Sequence, residues 1–173
     1  MQDMRLLIEP LIPRLRRYAR VLLRDSVGAD DLVQDCLERA IGRWHQRRLD
    51  GDARTWLFTI LHNLAMNRMR QSARRGSHIP VEDADPIAIT RAPDQESGIH
   101  HRDVLRALDR LPDDQRAVLV LVTIEELSYA DTAKALGVPI GTVMSRLSRA
   151  RARLRDEIAG SDRPAASHLR RVK

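Results

Sequence analysis

The segment SYADTAKALGVPIGTVMSRLSRARARLR, Ser128 to Arg155, holds a helix start, a stop and a second start in close succession. Ser128 suits a helix N-cap, with Asp131 three residues later where a capping-box acid sits. Ala130, Ala133 and Leu136 follow as an apolar stripe, and Gly137 ends it. Pro139 then fits the first turn of a new helix, where its missing N–H would have had no partner anyway. Two helices joined through Gly137-Val138-Pro139 make a helix-turn-helix signature.

In the second of these helices Val143, Leu147, Ala150 and Leu154 recur at helical spacing and are expected to face inward. Thr142, Ser145, Arg146, Arg149 and Arg153 are left for the outer face, and no acid occurs between Pro139 and Arg155. Short hydroxyl side chains permit close approach, and arginine forks match guanine edges and phosphates, so this helix reads as a major-groove reader. A solvated basic face is the alternative for the charge run taken alone. The cap and turn in front of it favour DNA.

The 173 residues suffice for one medium domain or two small ones. Aromatic residues make up only 3% of the chain and charged residues 31%, which favours helices over sheets. A net charge of +6 suits a polyanionic partner, and by itself leaves nucleic acid and an anionic membrane both open. No apolar run reaches membrane-spanning length and the N-terminus lacks a secretory signal pattern, so a cytoplasmic protein without membrane insertion of its own is expected. Cys36 is the single cysteine, set among Val33, Leu37 and Ala40, and reads as a buried, inert thiol.

Upstream, Leu7, Leu11, Leu15, Tyr18 and Leu22 predict an amphipathic helix over residues 5–24, with its regular part starting near Pro10 or Pro13. Asp25 to Gly28 reads as a turn. A second helix is expected over 29–46, with Leu32, Val33, Cys36, Leu37, Ala40, Ile41 and Trp44 inward. Its other side carries Asp31, Gln34, Asp35 and Glu38. An acidic stripe in a basic protein repels DNA, so its partner, if any, is a basic protein surface. After a polar loop, Trp56, Leu57, Ile60, Leu61, Leu64 and Met69 mark a third helix, to about Ala73. Asn63, Asn67, Arg70 and Arg74 share one side of it, as suits contact with bases and backbone of an opening strand. Trp56 fits the apolar stripe better than a stacking platform.

From Gly76 to Gly98 the helical period lapses; three prolines and five acids against one arginine read as a flexible acidic linker. A second helical domain follows, with Val104, Leu105, Leu108 and Leu111 ending before Pro112, then Ala117, Val118, Leu121 and Val122 inward. Beyond about Ile158 the tail is polar and basic and reads as disordered. No nucleophile elbow, phosphate loop or metal-ligand spacing occurs, so no enzyme, cofactor or metal is expected.

Three blocks then coincide with one family. DDLVQDCLERAIGRW at 30–44 and RTWLFTILHNLAMNRMR at 54–70 resemble the first conserved domain of extracytoplasmic-function (ECF, group IV) sigma factors of bacterial RNA polymerase. LPDDQRAVLVLVTIEELSYADTAKALGVPIGTVMSRLSRARARL at 111–154 resembles their second. The resemblance implies an all-α protein of two small helical domains: a sigma-2-like three-helix domain over 1–75 and a sigma-4-like helix-turn-helix domain over 99–158. A linker over 76–98 joins them, and a basic tail covers 159–173.

It implies that Asp31, Gln34, Asp35 and Glu38 dock on core polymerase. Asn63, Asn67 and Arg70, with Arg74 on the same face and Trp56 at its start, would read and open the minus-10 element of promoter DNA. The loop from about Arg47 to Arg54 would hold a flipped base. Thr142, Ser145, Arg146 and Arg149 would read the minus-35 element, and an anti-sigma factor would restrain the protein. Glu126 stands where many members carry glycine. The rival readings are a sigma-mimicking adaptor that titrates an anti-sigma factor and an autonomous helix-turn-helix repressor. Retention of Arg70, Arg146 and Arg149 argues against the first, and the absence of an evident ligand domain or dimer helix against the second.

Overall fold

Pro10 and Pro13 break the N-terminal helical pattern where their missing donors dictate. In the computed structural model, helix α1 spans Gln2–Ile8, a 3-10 turn covers Glu9–Leu11, and α2 runs Ile12–Leu23 with Pro13 in its first turn. The structure describes residues 2–46, 52–74 and 104–161. The expected linker over 76–98, most of the base-holding loop and nearly all of the basic tail lie outside these residues.

α2 ends on Arg24, which takes the left-handed conformation at φ 55. α3 then spans Ser26–Gly42 and starts earlier than its apolar spacing predicts. Asp25 is extended and its carbonyl accepts from the Ala29 N–H at 3.0 Å, so Ser26 to Gly28 form a first helical turn rather than a loop. Gly28 packs closely there: a Cβ would stand 2.2 Å from Asp25 Oδ2 and displace that carboxylate, and Arg68 Nη1 donates to the Gly28 carbonyl at 3.0 Å. α3 also ends early, and Trp44–Gln46 form a 3-10 turn. α4 spans Ala53–Arg74.

Leu15, Tyr18 and Leu22 of α2, Leu32, Val33 and Cys36 of α3, and Leu57, Phe58 and Leu61 of α4 form the centre of the first helical unit. The Tyr18 and Phe58 rings meet edge to face at 5.5 Å. Burial pushes the Cys36 thiol up to about 12, which makes it unreactive, as its apolar neighbours predict. Ile41, expected inward, is 54% exposed at the very end of α3, which stops one residue later at Gly42. Trp56 is half-buried with its ring 5.9 Å from Trp44, so both indoles belong to the packing of this unit.

The second unit has a helical segment over 104–109 (α5), then α6 at Asp113–Thr123, α7 at Tyr129–Leu136 and α8 at Ile140–Ser161. The punctuation read in the sequence is realised atom by atom. Ser128 Oγ accepts from the Asp131 N–H at 3.0 Å, Gly137 adopts φ 65, and the Val138 N–H reaches the Ala133 carbonyl at 3.1 Å. Val143, Leu147 and Ala150 turn inward with Leu105, Leu108, Val118 and Leu119. Glu126, with φ 53, holds a left-handed conformation that glycine would take without strain.

The two units pack against each other, and α6 is buried on every side from Gln115 to Leu121. Its Val118 and Leu119 face α5 and α8, while Ala117, Val120 and Leu121 join the core of α2 to α4. Leu127 and Ala135, from the start of the helix-turn-helix, join that same core. Charge completes the contact. The Glu125 side chain has 0% exposure and meets Arg17 Nε at 2.8 Å and Arg14 Nε at 3.3 Å, both from α2. Arg116, also fully buried, pairs with Asp113 and donates to the carbonyls of Leu111 at 3.2 Å and Leu22 at 3.4 Å.

His62 of α4 is buried with Nδ1 3.0 Å from the Tyr18 hydroxyl. Burial first, and then the charges of Arg146 and Arg70, push its pKa down to about 4. The folded protein therefore keeps His62 neutral where the unfolded chain, near 6.5, already binds a proton. This contribution is complete above pH 6.5 and is lost as pH falls toward 4. The free energy of unfolding from urea titrations across that window is expected to drop by up to roughly 3 kcal/mol more in the native protein than in His62→Gln.

Candidate nucleic-acid and polymerase interfaces

The capped turn before α8 leaves the outer surface of this helix uncovered at its N-terminal end. Arg149 and Arg153 are exposed further along it, whereas Thr142 and Ser145 are half-buried, the Ser145 hydroxyl donating to the Thr142 carbonyl at 3.1 Å. Arg146 turns to the second unit's own helices: its side chain is 27% exposed and Nε lies 3.0 Å from Asp114 Oδ2 at the start of α6. The four residues expected to read a groove are thus on one helix but differ in availability. Arg149 is presented freely, and Arg146 is held by a carboxylate it must share or leave. Asp114 was not singled out by the sequence, since an acid in the first turn of α6 is explained by the helix dipole alone.

On α4 the amide and arginine stripe is continuous. Asn63, Asn67, Arg70 and Arg74 are all exposed at steps of four, three and four. The opposite side of the same helix carries Phe58 and His62 into the core, so packing fixes the direction of the stripe. On α3, Asp31, Gln34, Asp35 and Glu38 are likewise all exposed, with Gln34 Nε2 donating to Glu38 Oε1 at 3.2 Å. Asp31 lies 3.9 Å from Arg68 Nη2, at the border between the acidic stripe and the cationic end of α4.

Sequence spacing did not find the cluster around Glu125. Beyond Arg14 and Arg17, Arg54 at the start of α4 also feels its charge, together with Asp52 and Glu126. The signal was present in the unbroken apolar run Ala117 to Val122, which leaves α6 no polar face and so requires cover on two sides.

Two family models match the chain: "Sigma2 domain of PhyR" over residues 8–62 and "Sigma-70, region 4" over residues 101–154. The ECF RNA polymerase sigma factor EcfG of Rhodopseudomonas palustris is 38% identical over 146 residues, which cover 83% of this chain and 78% of that protein. The chain belongs to the ECF RNA polymerase sigma factors. The sigma factor is also 43% identical to SigM of Mycobacterium tuberculosis over 141 residues, 82% of this chain and 69% of that one. Its fold is similar to that of RpoE from Bartonella quintana, solved in complex with the anti-sigma factor NepR, with a TM-score of 0.77 and 32% identity. That match covers 94% of this chain and 100% of the other. As a sigma factor it serves transcription initiation and is not an enzyme. No described helix is long and apolar enough to cross a membrane.

The different settings of the surface charges have a measurable consequence. Arg149→Ala and Asp35→Lys, at exposed positions, should leave the free energy of unfolding within about 0.5 kcal/mol of the native value. Arg146→Ala, which removes the half-buried partner of Asp114, should lower it by up to about 1 kcal/mol. Denaturant titration of the three variants checks the ranking.

Proposed function

We propose that the sigma factor works in the cytoplasm as three separate docking surfaces. Asp31, Gln34, Asp35 and Glu38 of α3 engage a basic surface of core polymerase. Asn63, Asn67, Arg70 and Arg74 of α4 contact the minus-10 element, with Trp56 supporting the helix start from the core. Thr142, Ser145, Arg146 and Arg149 of α8 contact the minus-35 element. Residues 1–75 and 99–158 form the two functional units, 76–98 the tether between them and 159–173 a basic extension.

The observation that carries this reading is the separation of charge by helix. An acid-bearing face on α3 and acid-free cationic faces on α4 and α8 coexist on one body, the first two exposed throughout and the third at Arg149 and Arg153. One face suits a basic protein and the other two suit phosphate.

The closed packing of α6 and α7 on α2 and α4 further supports control by an anti-sigma factor. Promoter elements that must be reached by two units require a fixed spacing between them, and on this reading it differs from the one that closure through Glu125 sets. An anti-sigma partner that favours the closed form would withhold the protein; core polymerase, engaging α3, would favour the open one.

Free sigma factor is therefore expected to bind promoter and random DNA with similar, strongly salt-dependent affinity, while holoenzyme discriminates between them. Holoenzyme assembled with the Asp31→Lys/Asp35→Lys variant should fail to gain that discrimination, although the variant folds. Fluorescence anisotropy on both DNAs across a salt series, with and without core, makes the comparison. Tight promoter-selective binding by the isolated chain would instead support an autonomous repressor. Core binding without any DNA contact would support a sigma-mimicking adaptor.

A further inference from the structure

Most apolar side chains of the second unit are buried, but its three exposed large ones gather at one place. Among residues 104–161, Tyr129 at 37%, Ile140 at 46% and Met144 at 49% exposure all lie where α7 begins and α8 starts. Tyr129, Met144, Leu147, Ser148, Arg151 and Arg155 line one open groove. Met144, Ser148, Arg151 and Arg155 succeed one another at steps of four, three and four, so they form a stripe along α8 with its apolar member at the N-terminal end.

We infer that Met144 determines sequence specificity by seating on a thymine methyl group in the major groove. The inference rests on the assignment of α8 to the minus-35 element. A major groove offers donors, acceptors and one apolar feature, the C5 methyl of thymine, so an apolar side chain among arginines has a single matching target there. Gly141, Ser145 and Ser148 surround Met144 with small side chains, which lets the helix come close enough for contact. Arg151 and Arg155 make no ion pair among the described residues and lie further along the stripe, placed for phosphates on one wall of the groove. A protein partner with an acidic amphipathic helix would match the same arginines. The acid-free run from Pro139 to Arg155 and the small residues around Met144 favour DNA.

The unbranched thioether adapts its shape without a polar demand of its own. Because Met144 is half exposed, its replacement leaves the packing of Val143 and Leu147 intact.

The test uses holoenzyme and duplexes selected from a library randomised upstream of the melting region. Each thymine of the selected element is then replaced singly by deoxyuridine, which removes only the methyl group. Native holoenzyme should lose about fourfold in affinity at one thymine, the value of one buried methyl-sized group. Met144→Ala should bind the thymine and uracil duplexes equally, about fourfold weaker than native on thymine. Equal penalties for native and Met144→Ala at every thymine would overturn the inference.

Arg149→Ala in the same assay separates the two levels. If it alters base preference while Met144→Ala does not, only the methionine contact falls. If neither variant matters, the minus-35 assignment of α8 falls with it. Loss of anti-sigma binding by Met144→Ala with thymine discrimination unchanged would also overturn the inference, in favour of a protein dock.

Discussion

The Glu125 carboxylate has no contact with water, and the charges that balance it come from the other half of the chain. A buried ion left alone costs several kcal/mol, so the turn between α6 and α7 can be buried only where Arg14 and Arg17 are present to meet it. These arginines keep about a quarter to a third of their side chains exposed, so the carboxylate is held by cations that remain in touch with solvent. A pair of this kind fixes geometry more than it adds net stability, since the desolvation it requires offsets most of the attraction. The closed arrangement is thus specific without being irreversible.

Other features of the interface follow from that constraint. With Glu125 pinned to α2, α6 lies between α2 and α8 and must be apolar on both sides, as Ala117, Val120 and Leu121 on one and Val118 and Leu119 on the other demonstrate. Arg116 then cannot reach water and spends its donors on Asp113 and on the carbonyls of Leu111 and Leu22. Arg24, in its left-handed conformation, pairs with Asp109 of α5 and adds a second charged tie between the units. Closure also places Leu127 and Ala135 against the first unit's core, while Arg149 at the outer side of α8 stays open.

Local rules were legible wherever the physics was local. Ser128, Gly137 and Pro139 placed the helix-turn-helix because caps and left-handed turns depend on the residues themselves. The exposed faces of α3 and α4 were legible because a face without apolar residues has nowhere to be buried. The start of α3 was not, because Asp25 to Gly28 has turn-like composition, and the Arg68 contact that ties the Gly28 carbonyl comes from a distant helix. Phe58 was missed beside its more regular neighbours, and its place against Tyr18 depends on tertiary packing. The availability of Arg146 was likewise invisible, since Asp114 lies 32 positions away in sequence and 3.0 Å away in space. Glu126 stands where the family resemblance leads one to expect glycine, and its φ of 53 is a conformation that glycine takes without strain.

Closure through Glu125 is tested most directly by the distance between the two units in solution. Spin labels on Val27→Cys in α3 and Arg153→Cys in α8, both exposed sites, can be attached while the buried Cys36 stays unreactive. Pulsed electron resonance should give one short, narrow distance for the free protein, and a broad, longer distribution for Glu125→Gln with helix content unchanged. A narrow short distance that survives Glu125→Gln, or a broad distribution in the native protein, would contradict the claim that this carboxylate holds the sigma factor closed.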